Sequence, residues 1–177
     1  AEQLSEFPVL AGNRFELLPV YDAAIERIIA DVDAAVNYAH LLFYIFEDDE
    51  TGRRMAEALE RAARRGIAVR VLMDAVGSRR GLKGLGPGMR AAGVEVIAAM
   101  PLRLWGPNAT RLDLRNHRKI VVVDGEAAFF GSQNIVSAHA NRGMINEEML
   151  VRTTGPIVRH LHAVLLGDRY LETGDLP

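Results

Sequence analysis

Short apolar runs of strand length alternate with amphipathic stretches of helical period along this chain, and that alternation confines it to an α/β architecture. Ile25, Ile28, Ile29, Val32 and Val36 recur at helical spacing with Asp22, Glu26, Arg27, Asp31 and Asp33 between them, which predicts a helix over roughly 21–37. Residues 41–46 form a continuous apolar run and read as a buried strand. Residues 51–65 return to helical period, with Met55, Leu59 and Ala62 inward and Gly66 placed to end the helix. Residues 67–73 predict a second strand. Five glycines and a proline in 75–88 predict a loop before a short helix near 87–92, and 94–97 a third strand. From Met100 to Arg115 there is no period, and Pro101 and Pro107 break any helix; long loops of this kind are often functional.

The strongest local signal follows. Residues 119–123 and 126–130 flank Asp124-Gly125, a dipeptide suited to a type I′ hairpin. Residues 148–152 predict a further strand, and Ile157, Leu161, Val164 and Leu165 line one face of a closing helix that runs to Gly174. Strands alternating with helices, plus one hairpin, predict an α/β domain whose mixed sheet is flanked by helices on both faces. No internal repeat is visible, so residues 1–177 read as a single domain.

Composition narrows the function classes. At 177 residues with 49% hydrophobic and 25% charged side chains, the chain can bury a core without staples. No run reaches the roughly 18 apolar residues a transmembrane helix needs, so this piece is expected to be soluble. It opens on Ala1 with no signal-peptide pattern and reads as a piece of something longer. The absence of cysteine removes disulfides and thiolate metal sites without fixing a compartment. A net charge of -2 supplies no overall attraction to nucleic acid.

Two residues apart on a strand, His117 and Lys119 project to one face, with Val121 and Val123 continuing it. An imidazole beside an ammonium makes a poor core but a good phosphodiester site, the ammonium neutralising oxygens while the neutral ring attacks or takes a proton. After the hairpin, Gly131-Ser132-Gln133-Asn134 brings small polar groups next to that pair. Ser132 and Asn134 can donate to an oxyanion, and a helix starting just beyond would add its N-terminal amides. Arg118 points to the opposite face and is expected to be solvated or ion-paired. The run Asp48-Asp49-Glu50 reads as a polar turn at a strand end rather than a metal site. Arg79, Arg80 and Lys83 read either as a phosphate cradle or as a solvated loop. Trp105, with Leu102, Leu104, Pro107, Arg103 and Arg111 around it, suits a bilayer interface or a covered domain edge equally.

His117-x-Lys119-x-x-x-x-Asp124 followed by Gly131-Ser132-Gln133-Asn134 resembles the signature of the phospholipase D superfamily. Asn13, residues 44–49, 65–74 and 114–119, and Thr154-Gly155-Pro156 are similar to the first half of bacterial cardiolipin synthases. The resemblance covers nearly all of this chain and about half of such an enzyme. It implies a catalytic histidine at His117 and phosphate ligands at Lys119, Ser132 and Asn134. Asp124 belongs to the motif and counts among the candidate catalytic positions, although its place at the turn favours a structural role. The family also sets an acid behind the histidine, and strand phase favours Glu148 over the adjacent Glu147, which stays open. Where cardiolipin synthases commonly carry Gly-Gly, this chain has Gly131-Ser132, nearer to other branches.

In-line displacement needs a nucleophile on one side of phosphorus and a proton donor on the other. His40, His139, His160 and His162 lack the Lys and Asp spacing, so only one motif is present and the site is half a site. The second is expected from a missing half or a homodimer mate related by a two-fold axis. The resemblance implies a phosphatidyltransferase or phosphodiesterase working through a phosphohistidine, with a phosphatidylglycerol-like substrate and neither metal nor cofactor. It places the full-length protein at the membrane surface, on the cytoplasmic face of a bacterial inner membrane. A dimeric single-motif nuclease is the second reading, disfavoured by the acidic charge. A non-catalytic phosphate-binding or scaffold half-domain is the third.

Overall fold

The computed structural model describes residues 10–102, 115–140 and 145–175. Seven strands form one mixed sheet: β1 (Arg14–Leu18), β2 (Tyr38–Phe43), β3 (Ala68–Asp74), β4 (Glu95–Ala99), β5 (Ile120–Val123), β6 (Ala127–Gly131) and β7 (Leu150–Thr154). Their order is β1-β7-β6-β5-β2-β3-β4. The β2, β3 and β4 strands are parallel, and every other pairing is antiparallel. Five helices join them: α1 (Tyr21–Ala34), α2 (Glu50–Arg64), α3 (Arg79–Gly84), α4 (Gly86–Ala91) and α5 (Ile157–Thr173).

Both faces are covered, as the hydrophobic pattern predicts. Ile25, Ile28 and Val32 of α1 and Met55, Leu59 and Ala62 of α2 bury against Leu41, Phe43, Val71, Val121 and Phe129 of the sheet, with Met89 of α4 in the same cluster. The other face is thinner. Leu42, Leu72, Ile120, Val122 and Ala128 meet Val158 and Leu165 of α5, with Leu161 and Val164 of the same helix packed alongside.

Several boundaries differ from expectation for physical reasons. The α1 helix stops at Ala34, short of 37, because the backbone N–H groups of Val36, Asn37 and Tyr38 all turn to the Asp124 carboxylate. The β2 strand starts three residues early, since its polar members Tyr38 and His40 are satisfied on the α5 face. The α2 helix is opened by Asp49, whose side chain accepts the Gly52 N–H at 2.9 Å. Part of the expected glycine-rich loop is helical as α3, and there Arg80 pairs with Glu47 at 3.2 Å. No helix begins at 135–140, where Ile135 bridges to Phe46 and a bend and a turn follow. The closing helix ends as predicted, with Gly174 left-handed at φ 75°.

The α5 face also carries a buried polar chain. Arg70 Nη1 lies 3.1 Å from His40 Nε2, His40 Nδ1 lies 2.9 Å from His162 Nε2, and His162 Nδ1 lies 3.3 Å from the Tyr38 hydroxyl. Arginine only donates, so both rings are neutral: His40 Nδ1–H donates to His162, whose Nδ1–H donates to Tyr38. Glu95 anchors the far end, accepting from Arg70 at 2.7 Å and from Arg169 of α5 at 2.8 Å. Burial, then the charge of Arg70 and the neighbouring ring of His162, push the His40 imidazole down to about 3. Burial and Arg70 depress His162 as well. A histidine that stays neutral in the fold but protonates when unfolded stabilises the fold fully above its unfolded pKa, and that contribution falls as pH drops below it. Urea unfolding is expected to show a loss of about 2 kcal/mol between pH 7.5 and pH 5 from one such ring. The loss should shrink in a His40→Gln variant. Equal stability at the two pH values would mean that the pair protonates without cost.

Candidate active site

Antiparallel pairing decides where the chemistry collects. The β2 and β6 strands run toward one edge of the sheet, and β5 and β7 run away from it. The exit of β2, the entry to β5, the exit of β6 and the entry to β7 therefore meet there. This edge lies beside the carboxyl ends of the parallel strands, where open α/β sheets place their ligands. His117 and Lys119 precede β5, Ser132 and Asn134 follow β6, and Glu148 precedes β7.

His117 is exposed, and its ring lies flat on Tyr44, with centroids 3.9 Å apart and planes inclined by 19°. Lys119 is half-buried; its Nζ donates to the His117 carbonyl at 2.7 Å and sits 5.8 Å from the Tyr44 ring centre. Burial lowers the Lys119 pKa, and the Glu148 carboxylate works against that shift. The ammonium is thus short of partners and gains by meeting an anion.

Asn134 is buried, with 7% exposed. Its Oδ1 accepts the Ile45 N–H at 3.0 Å, and its own backbone N–H donates to Glu148 Oε2 at 3.1 Å. The two amide hydrogens on Nδ2 have no partner among the described residues. A cavity of about 540 Å³ opens here, with Asn134, Glu148, Glu47, Asp49 and Arg80 in its walls. Ser132 is exposed, and its hydroxyl accepts the Met149 N–H at 3.0 Å. Gly131 is required at that crossing, since a Cβ would run into the Met149 carbonyl and lie 3.0 Å from Leu150 Cα.

Of the two adjacent acids, Glu147 is exposed, and Glu148 is half-buried at the site. Glu148 does not bond the His117 ring in this structure. Its carboxylate takes the Asn134 N–H, and β6 stands between β7 and the strand that His117 enters. Asp124 lies at the far end of β5, on the hairpin turn, where both Asp124 and Gly125 have positive φ (53° and 70°), as a type I′ turn requires. Its carboxylate accepts N–H groups from Val36 at 2.9 Å and from Asn37 and Tyr38 at 2.8 Å. Burial opposes these bonds, but together they hold the carboxyl below its usual range.

Other sequence candidates are held by structural partners. Arg118 is ion-paired with Asp168 of α5 at 2.8 Å. Asp49 caps α2 and accepts the Ser137 N–H at 2.6 Å. Asn13 accepts the Ile157 N–H at 2.8 Å and so secures the start of α5. Arg103, Leu104, Trp105, Pro107, Arg111 and Leu114 lie outside the described residues. Tyr44 is a site residue that the sequence pattern does not single out. It lies inside an apolar run, 41–46, that reads as strand throughout, and nothing in its spacing marks the chain leaving the sheet after Phe43.

A mixed sheet bearing a histidine, a lysine and an asparagine at one edge defines a phospholipase D-like domain. The model of the family described as cardiolipin synthase, PLD-like domain matches residues 28–167, and the chain belongs to that family. Over 168 residues it is 33% identical to cardiolipin synthase A of Serratia proteamaculans (strain 568) and to cardiolipin synthase A of Yersinia pestis bv. Antiqua (strain Angola), in each case covering 92% of this chain. It spans 35% of the length of those relatives. Among solved structures, the phospholipase D family member Nuc from Salmonella typhimurium shares the fold with a TM-score of 0.66 at 18% identity, covering 91% of this chain and 95% of that one. Phosphatidylserine synthase from Haemophilus influenzae Rd KW20 matches with a TM-score of 0.60 at 12% identity, covering 92% of this chain and 44% of that one.

Proposed function

We propose that this domain supplies one of the two catalytic halves of a phosphatidyl-transferring phosphodiesterase of the cardiolipin synthase kind. The observation that carries it is the convergence of His117, Lys119, Asn134 and Glu148 on one sheet edge. The neutral His117 ring forms a bond from nitrogen to phosphorus, and the bond from phosphorus to the departing alcohol breaks. A histidine from a second motif protonates that alcohol. The same histidine then takes the proton of an incoming hydroxyl, whose oxygen attacks phosphorus and releases His117. Lys119, Ser132 and the Asn134 amide hold the non-bridging oxygens, and Glu148 balances the positive charge that builds at the site. Water as acceptor gives hydrolysis; a lipid hydroxyl gives transfer.

The second motif comes from a missing half or from another copy of this chain. A lipid diester fits better than nucleic acid. On its α5 side, His117 adjoins a cavity of about 580 Å³ whose lining combines apolar Leu42, Leu72, Ala99, Met100 and Leu171 with charged Arg115, Arg118, Asp168 and Glu172, an amphipathic wall that suits a lipid diester, and the net charge of -2 gives a polyanion no hold. The test offers the chain phosphatidylglycerol vesicles and, separately, supercoiled plasmid, over a range of protein concentrations. Lipid turnover rising faster than linearly with protein, with the plasmid intact, is expected. Nicked plasmid without lipid turnover would transfer the assignment to a nuclease.

A further inference from the structure

We propose that Tyr44 is the positioning residue for His117, a shelf that fixes the plane of the attacking ring and holds it while it carries positive charge. This rests on His117 being the nucleophile of the reading above. The stack at 3.9 Å and 19° is its geometric core, and among the described residues no hydrogen bond reaches the His117 ring nitrogens. An exposed imidazole with no partner would sample several orientations, and a near-attack geometry tolerates little of that.

The surroundings of Tyr44 are built to keep it still. On one side, Ser78 Oγ donates to the Tyr44 carbonyl at 2.9 Å and accepts the Phe46 N–H at 2.8 Å, with Ser78 only 1% exposed. On the other, the Ile45 N–H is held by Asn134 at 3.0 Å. Gly77 passes directly beneath the phenol. A Cβ there would run into the Tyr44 carbonyl and come within 3.0 Å of ring carbon Cε2. Asp74 fixes that passage by accepting the Val76 and Gly77 N–H groups at 2.9 and 2.8 Å. The other Asp74 oxygen takes Arg115 Nε at 2.9 Å, in a pair only 4% and 3% exposed. Arg115 stands two residues before His117, so one carboxylate ties the support beneath Tyr44 to the segment that delivers the histidine.

The energetics explain why an aromatic is useful here. Two neutral rings gain little from lying face to face, whereas a cation over a phenol face is attracted by its quadrupole. Once its nitrogen is bonded to phosphorus, the His117 ring is an imidazolium. The shelf therefore strengthens as the covalent intermediate forms, which lowers the barrier rather than merely improving binding.

The test compares Tyr44→Phe and Tyr44→Leu, with the His117 ring protons followed by NMR and assigned through their loss in His117→Ala. In the unmodified chain and in Tyr44→Phe, those protons are expected upfield of their position in Tyr44→Leu, because only an aromatic face shields them. Turnover of phosphatidylglycerol vesicles should follow: Phe near full rate, Leu down about tenfold in kcat with KM little changed. Identical His117 shifts in all three proteins would overturn the stack, and full kcat in Tyr44→Leu would overturn its role. Absence of turnover in the unmodified chain would instead count against the proposed function, while the shifts still judge the shelf.

Discussion

Replacing His117 by alanine is expected to reduce phosphodiester turnover by at least about a thousandfold while leaving the fold intact. Loss of a covalent nucleophile is among the largest single-residue effects in enzymology, because no neighbouring group substitutes for it. His117 is exposed and its ring makes no hydrogen bond within the described chain, so removing it costs the domain little stability. The informative measurement is a single-turnover acid-free quench with phosphorus-labelled lipid. The unmodified protein should retain label on the chain as an acid-labile, base-stable adduct, and His117→Ala should retain none. Persistence of the adduct in the variant would place the nucleophile elsewhere.

Replacing Asp124 by alanine should have the opposite profile. Three backbone N–H groups, from Val36, Asn37 and Tyr38, lose the carboxylate they donate to at once, where the chain leaves α1 for β2. Hydrogen bonds to a charged acceptor are worth more than neutral ones, but water replaces part of them at this half-buried position. A loss of about 3 kcal/mol in urea unfolding is therefore expected. Below the midpoint of unfolding, the rate per folded molecule should change far less than in His117→Ala. A folded Asp124→Ala protein as inactive as His117→Ala would return the aspartate to the chemistry.

The sequence carries the hairpin plainly because Asp124-Gly125 needs two positive φ values that few other dipeptides accept. It carries the helices because α1 and α2 each bury a single stripe. It hides β1, whose Phe15 and Leu17 are 59% and 55% exposed and whose five residues show no contrast between an inner and an outer face. The start of β2 is hidden for a different reason: half-buried Tyr38 and buried His40 look polar until α5 supplies their partners. His117, Lys119, Ser132 and Asn134 could be named because their residue types suit a phosphate, and the antiparallel order then gathers them. The side-chain geometry was less legible. Strand phase nominated Glu148 for the His117 ring, yet a whole strand separates them, and the ring rests on an aromatic from the other half of the sheet.

The carboxylate at the turn and the imidazole beyond the opposite end of β5 are linked by the four-residue strand, at about 3.3 Å per residue, and the short segment leading into it. That stretch works as a ruler. With the turn clamped to the stem before β2, the count of residues from clamp to ring determines on which side of the sheet the ring emerges. Inserting or deleting one residue between Lys119 and Asp124 would leave every motif side chain present in the chain, yet change the direction in which the reactive pair leaves the strand. The fixed spacing in His-x-Lys-x-x-x-x-Asp is then a measured distance between an anchor and a tool.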